Sequence, residues 1–270
     1  MRPCAAGKQP FLTIGPWHHS SSSWSGVGLN EALAVFDAHA KGKRSRLRDQ
    51  SVRVYVTGTD EWRYYPDFPP PETRVERWYL HDGGRLAPEP AAPSQPDRYR
   101  YDPADPTPAV GGPLLAAPGL KVKAGPVDNR KLEMCPDVLL YTSDPLVRDL
   151  EVIGTVTAEL LVHSSLEHTD FFARLCDVRP SGKSINVCDA ILREAPGRPG
   201  PEADGTLRLR IEMWRLPTAS SATTGCVCRS QAVRTPATLG TPEAGSRWRP
   251  RPSSFRLSRK SSTTPSTPRP

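Results

Sequence analysis

From Pro136 to Arg193 the chain is written almost entirely in strands, and helical periodicity is absent from that span. Apolar residues recurring every second position put alternate side chains on opposite faces of a sheet. DVLLYTSD is one such stretch. LEVIGTVTAELLVHSS is a long one, in which Val152, Gly154, Val156 and Ala158 share a face. TDFFARLCDVRPSGKSINVCDAILR reads as two strands folded at Pro180-Ser181-Gly182-Lys183, and TLRLRIEMW adds another with Leu207, Leu209, Ile211 and Met213 on one side. Many strands with turns at intervals of about ten residues predict an antiparallel β-sandwich of the jelly-roll kind.

The first fifty residues follow a different rule. In FLTIGPWHHS, Phe11 to Ile14 suit a buried strand, and Gly15-Pro16 stops it. Trp17, His18 and His19 follow at once. A strand ending in a histidine-bearing turn can deliver a general base to the rim of a sheet, or the histidines are loop residues with no task. Asn30 is a candidate cap for a helix through EALAVFDAHA, with Leu29, Leu33 and Phe36 as its apolar stripe. His39 on that helix reads as a packing or solvated histidine. The basic run from Lys41 to Arg48 reads as a solvated linker. SVRVYVTG then alternates, with Val52, Val54 and Val56 on one face.

Charge excludes one class of function. The formal net charge is +7, but residues 219–270 hold nine basic side chains against the single acid Glu243. The remaining 27 basic and 28 acidic residues balance, so the basicity belongs to the tail and no nucleic-acid surface is expected on the body. No apolar run reaches the ~18 residues of a membrane span, and the N-terminus lacks a secretory apolar core. The six cysteines, at 4, 135, 176, 188, 226 and 228, show no zinc-ligand spacing. A cytoplasmic protein with neither metal nor cofactor is expected.

Taken in order, IGPWHH, VYVTGTDEWR, YLHDGG, YRYDPADPTPAVGG, DVLLYTSDPL, EVIGTVTAELLVHSS, TDFFARLCDVRPSGKS and CDAILR resemble successive segments of the CocE/NonD hydrolases. These are serine esterases and X-Pro dipeptidyl-peptidases of the S15 type, and the resemblance runs from Phe11 to Trp214. It implies an α/β-hydrolase domain, a helical cap and a C-terminal jelly roll in full-length members, with a Ser-His-Asp triad. The segment GPWxH carries the triad histidine onto His19, with His18 its neighbour. Trp17 would pack beneath His19 or line the acyl pocket.

The departures from that pattern are specific. Residues 1–10 contain no Ser, Asp or Glu, and Ser20 to Ser23 lack the setting of a nucleophile elbow. One triad member of three is therefore present, and a histidine alone has no means to accelerate acyl transfer. After Trp214 the strand pattern vanishes: residues 219–270 carry 18 Ser or Thr and seven prolines. With GC-rich codons and one base restored near Trp214-Arg215, RLPTASSATTGCVCRSQAVRTPATLG re-reads as PAAHRIERDHRLRVQVAGGAHPRYARN, which resembles the family's continuation. The expected organisation is a strand-loop-helix remnant of an α/β-hydrolase domain over 1–50, an incomplete jelly roll over 51–218, and a disordered, out-of-frame tail over 219–270.

Two functions compete. The first is a part of a serine hydrolase, inactive alone, whose full-length parent cleaves small-molecule ester, amide or X-Pro peptide substrates, with no nucleic-acid or membrane partner. The second is a non-catalytic β-sandwich binding module. That reading needs an exposed aromatic platform, for which Trp62, Tyr64, Tyr65 and Trp78 are the candidates, each also suited to core packing. Nothing in the sequence specifies an oligomeric state.

Overall fold

A computed structural model describes residues 10–17, 23–114, 123–165, 169–194, 202, 205–220, 225–233 and 254–260. Two sheets organise them. The smaller has three strands, β1 (Leu12–Ile14), β2 (Val52–Val56) and β3 (Glu61–Tyr65), in that order. β1 pairs parallel with β2, and β2 pairs antiparallel with β3. A parallel pair needs a long crossover, and helix α1 (Ser23–Ala40) supplies it. β1 precedes the boundary expected at residue 50 and β2 follows it, so that boundary runs through one sheet. The alternation of Val52, Val54 and Val56 named the buried face of β2 but not the strand beside it.

The larger sheet contains β4 (Thr73–His81), β5 (Arg85–Ala87), β6 (Val138–Thr142), β7 (Leu150–Val162), β8 (Thr169–Val178), β9 (Ser184–Glu194), β10 (Leu207–Ser220), β11 (Gly225–Val233) and β12 (Ser254–Lys260). They run in the order β10-β7-β12-β4-β5-β6-β11-β8-β9. The sheet folds over one core of Trp78, Leu86, Val152, Val156, Phe171, Leu175, Ile211 and Met213 among others, which makes the mainly β sandwich that the period-two strands require. Its two ends meet there, with Cys188 Sγ of β9 at 3.8 Å from Met213 Sδ of β10. The β8–β9 turn closes through Gly182, whose N–H donates to the Arg179 carbonyl at 2.8 Å and whose φ is +77°.

β7 is buried on both faces over its middle. Val152, Val156 and Ala158 point into the sandwich. Ile153, fully buried on the opposite face, enters a second core with Val52, Val54, Val56 and Tyr65. Arg63 of β3 and Glu151 of β7 pair beside it. The small sheet therefore rests on the sandwich through β7, with β10 also packed beside β2.

Two expectations are corrected. Helix α1 begins at Ser23, so Asn30 lies inside it and does not cap it. The stripe of Leu29, Leu33 and Phe36 faces outward at 62%, 43% and 64% exposure, and Ala34 and Ala38 form the buried face. Small side chains let the helix lie close to its neighbours, and the helical period alone does not say which apolar face turns inward. The helix ends as read, with Lys43 N–H donating to the Asp37 carbonyl at 2.9 Å across Gly42 at φ +68°. The second correction concerns the tail, read as disordered from 219: β11 inserts between β6 and β8, and β12 between β4 and β7. Open strand edges present unpaired backbone groups that pair with an extended chain largely regardless of its side chains.

Candidate functional site

His18, His19 and Ser20 to Ser22 lie outside the described residues. The residues on either side of them, up to Trp17 and from Ser23, are described. On the strand side, Trp17 folds back over Gly15, where a Cβ would sit 2.6 Å from the indole. No larger residue fits under that ring. The same indole packs on Trp62 of β3 at 5.8 Å between centroids, a contact worth about 1 kcal/mol beyond area burial.

Arg48 closes the site. Its Nη2 donates to the carbonyls of Leu12 and Ser51, both at 2.9 Å, bridging β1 to the segment entering β2. Its Nη1 donates to Thr13 Oγ1 at 3.1 Å and pairs with Glu31 Oε2 of α1. Its Nε donates to the Gln50 carbonyl at 2.9 Å, and its guanidinium lies over the Phe11 ring. Every nitrogen of the side chain is used, which an exposed linker arginine would not show. Reading Lys41 to Arg48 as a solvated run is thus wrong at its last residue.

Glu31 receives the other contacts. Thr13 Oγ1 donates to its Oε2 at 2.5 Å, and Arg53 Nη1 reaches its Oε1 at 3.2 Å. Burial disfavours its charged form, but the Thr13 hydrogen bond and the two guanidinium groups outweigh this and hold the carboxyl below its ordinary range. Arg53 in turn stacks over Trp62 at 4.0 Å from the ring centroid. A chain of contacts thus runs from Trp17 through Trp62, Arg53, Glu31 and Arg48 back to β1, tying β1 to α1, β2 and β3. It borders a cleft of about 450 Å³ that Phe11, Val27, Glu31, Arg48, Arg53 and Tyr64 line in part.

Sequence reasoning missed this clamp. Thr13, Glu31, Arg48 and Arg53 are unremarkable in sequence, and only the parallel β1–β2 pairing brings them together. A second polar centre was also missed. Arg174 of β8 and Asp189 of β9, at 5% and 6% side-chain exposure, form an ion pair at 2.6 Å on the face of their strands opposite the sandwich core. Arg174 Nη1 also donates to Asn129 Oδ1 at 2.7 Å and to the Val110 carbonyl at 2.8 Å. Gly112, at φ +68°, lies so close that a Cβ would be 2.5 Å from Asp189 Oδ2, which explains the glycines of AVGG. The centre is satisfied internally and anchors a loop.

The aromatic platform does not assemble. Tyr65 and Trp78 are buried in two separate cores, Trp62 is stacked against Trp17 and Arg53, and Tyr64 is half exposed. Among the described residues no group of three or more His, Cys, Asp or Glu could hold a metal ion. No described helix is long and apolar enough to cross a membrane.

Comparison with known proteins bears on all of this. The profile of a family described as the X-Pro dipeptidyl-peptidase C-terminal non-catalytic domain matches residues 47–213. A cocaine esterase of Rhodococcus sp. (strain MB1 Bresler) is 38% identical over 206 residues, covering 67% of this chain and 35% of the esterase. The chain thus spans about a third of that relative's length. An aminopeptidase from a marine-sediment Thaumarchaeota archaeon superposes with a TM-score of 0.73 at 23% identity, over 95% of this chain and 48% of its own. A CocE/NonD family hydrolase of Staphylococcus aureus does so with a TM-score of 0.58 at 13% identity, again over 95% of this chain and 48% of its own.

Proposed function

Since this chain belongs to the X-Pro dipeptidyl-peptidase C-terminal domain family of CocE/NonD-type hydrolases, we propose that it is the histidine-bearing part of a serine hydrolase that cleaves ester, amide or X-Pro peptide bonds. The observation that carries the reading is the 38% identity to an esterase. The clamp supports it, because Trp17 and Arg48 fix the strand that leads to His19. His19 takes the proton from a serine supplied by an α/β segment outside these 270 residues and passes it to the leaving group, while an acid from that segment orients the imidazole. The sandwich is the platform for that loop and has no catalytic group of its own. Alone, the chain is inactive.

The test is hydrolysis of a p-nitrophenyl ester by the chain alone and by a fusion to the serine-bearing portion of the Rhodococcus relative. The fusion should be active, the chain alone silent, and His19→Ala in the fusion should lower kcat by about 10³-fold or more. Full activity of the His19→Ala fusion would remove the reading. The binding-module alternative loses its support with the burial of Tyr65 and Trp78.

We further propose that the reading frame changes at Trp214–Arg215. The family match stops at residue 213. The β10–β7 register slips between Met213 and Arg215. Both coincide with the point at which one restored base yields a family-like continuation. Sequencing the gene across codons 210–220 tests this, and a confirmed intact frame there would sink it. A frame-restored chain should melt higher and aggregate less.

A further inference from the structure

Trp17 stands two residues before His19, and its indole has a fixed place. A Cβ on Gly15 would lie 2.6 Å from each of three carbons of its benzo ring, so the ring lies directly against the backbone of the turn that ends β1. The same indole packs on Trp62 of β3, with 5.8 Å between centroids and the planes inclined at 45°. Trp62 is itself held from two further directions. In the β2–β3 ladder Tyr55 pairs with Trp62 and Arg53 with Tyr64, so these four stand on the face opposite the buried Val52, Val54 and Val56. Tyr55 meets the Trp62 ring edge-on at 5.3 Å. The Arg53 guanidinium lies 4.0 Å from the Trp62 centroid, and Glu31 of α1 fixes that guanidinium at 3.2 Å. A ring confined in this way has one position, and what packs on it is placed with it.

We propose that Trp62 is a positioning residue for His19, acting through Trp17, with Arg53 holding Trp62 in place. The proposal rests on the reading of His19 as the general base. Trp62 and Arg53 both belong to the span 47–213 that matches a domain described as non-catalytic. That domain then takes part in the reaction by setting the path of the chain between β1 and the imidazole. Trp17 becomes a tether and not a wall of the acyl pocket. A reacting group misplaced by about 1 Å costs on the order of 10²-fold in rate, so a contact made this close in sequence to the base reaches the chemistry. None of these rings is asked to touch the substrate, so the effect falls on kcat and spares KM.

The test uses the full 270-residue chain and its fusion to the serine-bearing portion of the Rhodococcus relative, side by side. In the fusion, Trp62→Leu should lower kcat for a p-nitrophenyl ester by about 10- to 100-fold per folded molecule, with KM within about twofold of the parent. Trp62→Phe, which keeps a ring for Trp17 and Arg53 to pack on, should bring kcat back to within about threefold. Trp17→Leu should cost as much as Trp62→Leu, and the double variant no more than either, because one residue acts through the other. In the full chain, with histidines labelled at Cε1 and the His19 signal assigned by His19→Gln, Trp62→Leu should shift or broaden that signal and leave those of His81 and His163 in place. An unchanged kcat in Trp62→Leu overturns the proposal, as do losses that multiply in the double variant. A raised KM with kcat unchanged also overturns it, because the rings would then belong to the substrate pocket. A fusion silenced by His19→Ala but indifferent to Trp62→Leu upholds the base and removes only the positioning residue. Full activity of the His19→Ala fusion removes both. If the fusion shows no hydrolysis, the His19 signal decides, and one unmoved by Trp62→Leu overturns the proposal.

Discussion

Replacing Asp189 by asparagine should be among the most damaging single changes to the sandwich. Asp189 Oδ2 accepts from Arg174 Nε at 3.0 Å and from Nη2 at 2.6 Å. The substitution keeps the shape and removes the charge, which leaves a guanidinium at 5% exposure without a counter-ion. Breaking a buried pair in this way costs about 3–5 kcal/mol. At about 2–4 °C per kcal/mol for a chain of this size, the melting temperature should fall by roughly 10 °C. Arg174→Met should cost at least as much, because it strands the carboxylate together with Asn129 Oδ1 and the Val110 carbonyl. In the double variant Arg174→Met, Asp189→Leu, only those two acceptors stay unpaired, at about 1–3 kcal/mol each. Its cost should therefore fall short of the sum of the single changes by about 2 kcal/mol or more. Urea unfolding followed by tryptophan fluorescence measures all four corners of the cycle, with Asp189→Leu as its second single variant. Additivity to within about 0.5 kcal/mol would refute the idea that the pair acts as a unit.

Three further outcomes are expected. Ile153→Ala should cost about 2–5 kcal/mol and speed amide exchange in β1, β2 and β3 more than in β8 and β9, because the residue is fully buried between β7 and the small sheet; exchange rising equally in both regions would contradict this. Gly112→Ala should destabilise the fold well beyond Gly182→Ala in thermal melts, since both have positive φ but only Gly112 has a carboxylate in the way. Glu31 has a lowered pKa, and Arg130 holds Asp128 at about 2 by a side-chain hydrogen bond. Each contributes stability that is present above its unfolded value and lost as pH falls through its folded value. Melting temperature should therefore fall on acidification below about pH 4.5, with a shallower fall in Glu31→Gln.

Strand faces were legible because one side of each strand is buried, and burial imposes a period of two. Val52, Val54 and Val56 are all buried, as are Leu209, Ile211 and Met213. Strand partners were not legible, because alternation carries no record of which strand lies alongside. That is why β2 read as the start of the sandwich and not as the neighbour of β1. The face of α1 was misread because three large apolar residues at helical spacing outweigh two alanines in any periodicity argument, although close approach favours the alanines. Arg48 was lost among basic neighbours: its role depends on two carbonyls, a threonine and a glutamate that only the folded chain gathers. His19 was proposed through the motif GPWxH and the order of the segments behind it, and lies outside the described residues.

The double burial of β7 also sets an order of events at the ribosome. Arg63 and its partner Glu151 are 88 residues apart. At about 5–20 residues per second, several seconds separate the emergence of β3 from that of the strand that floors it. During that interval Val52, Val54 and Val56 have only Leu12, Ile14, Tyr65 and Phe68 to pack against. The segment that carries the histidines is made before β7 and matures only once that strand arrives. A chain that stalls, or is cut, before residue 153 releases that segment as an apolar surface open to chaperones and proteases.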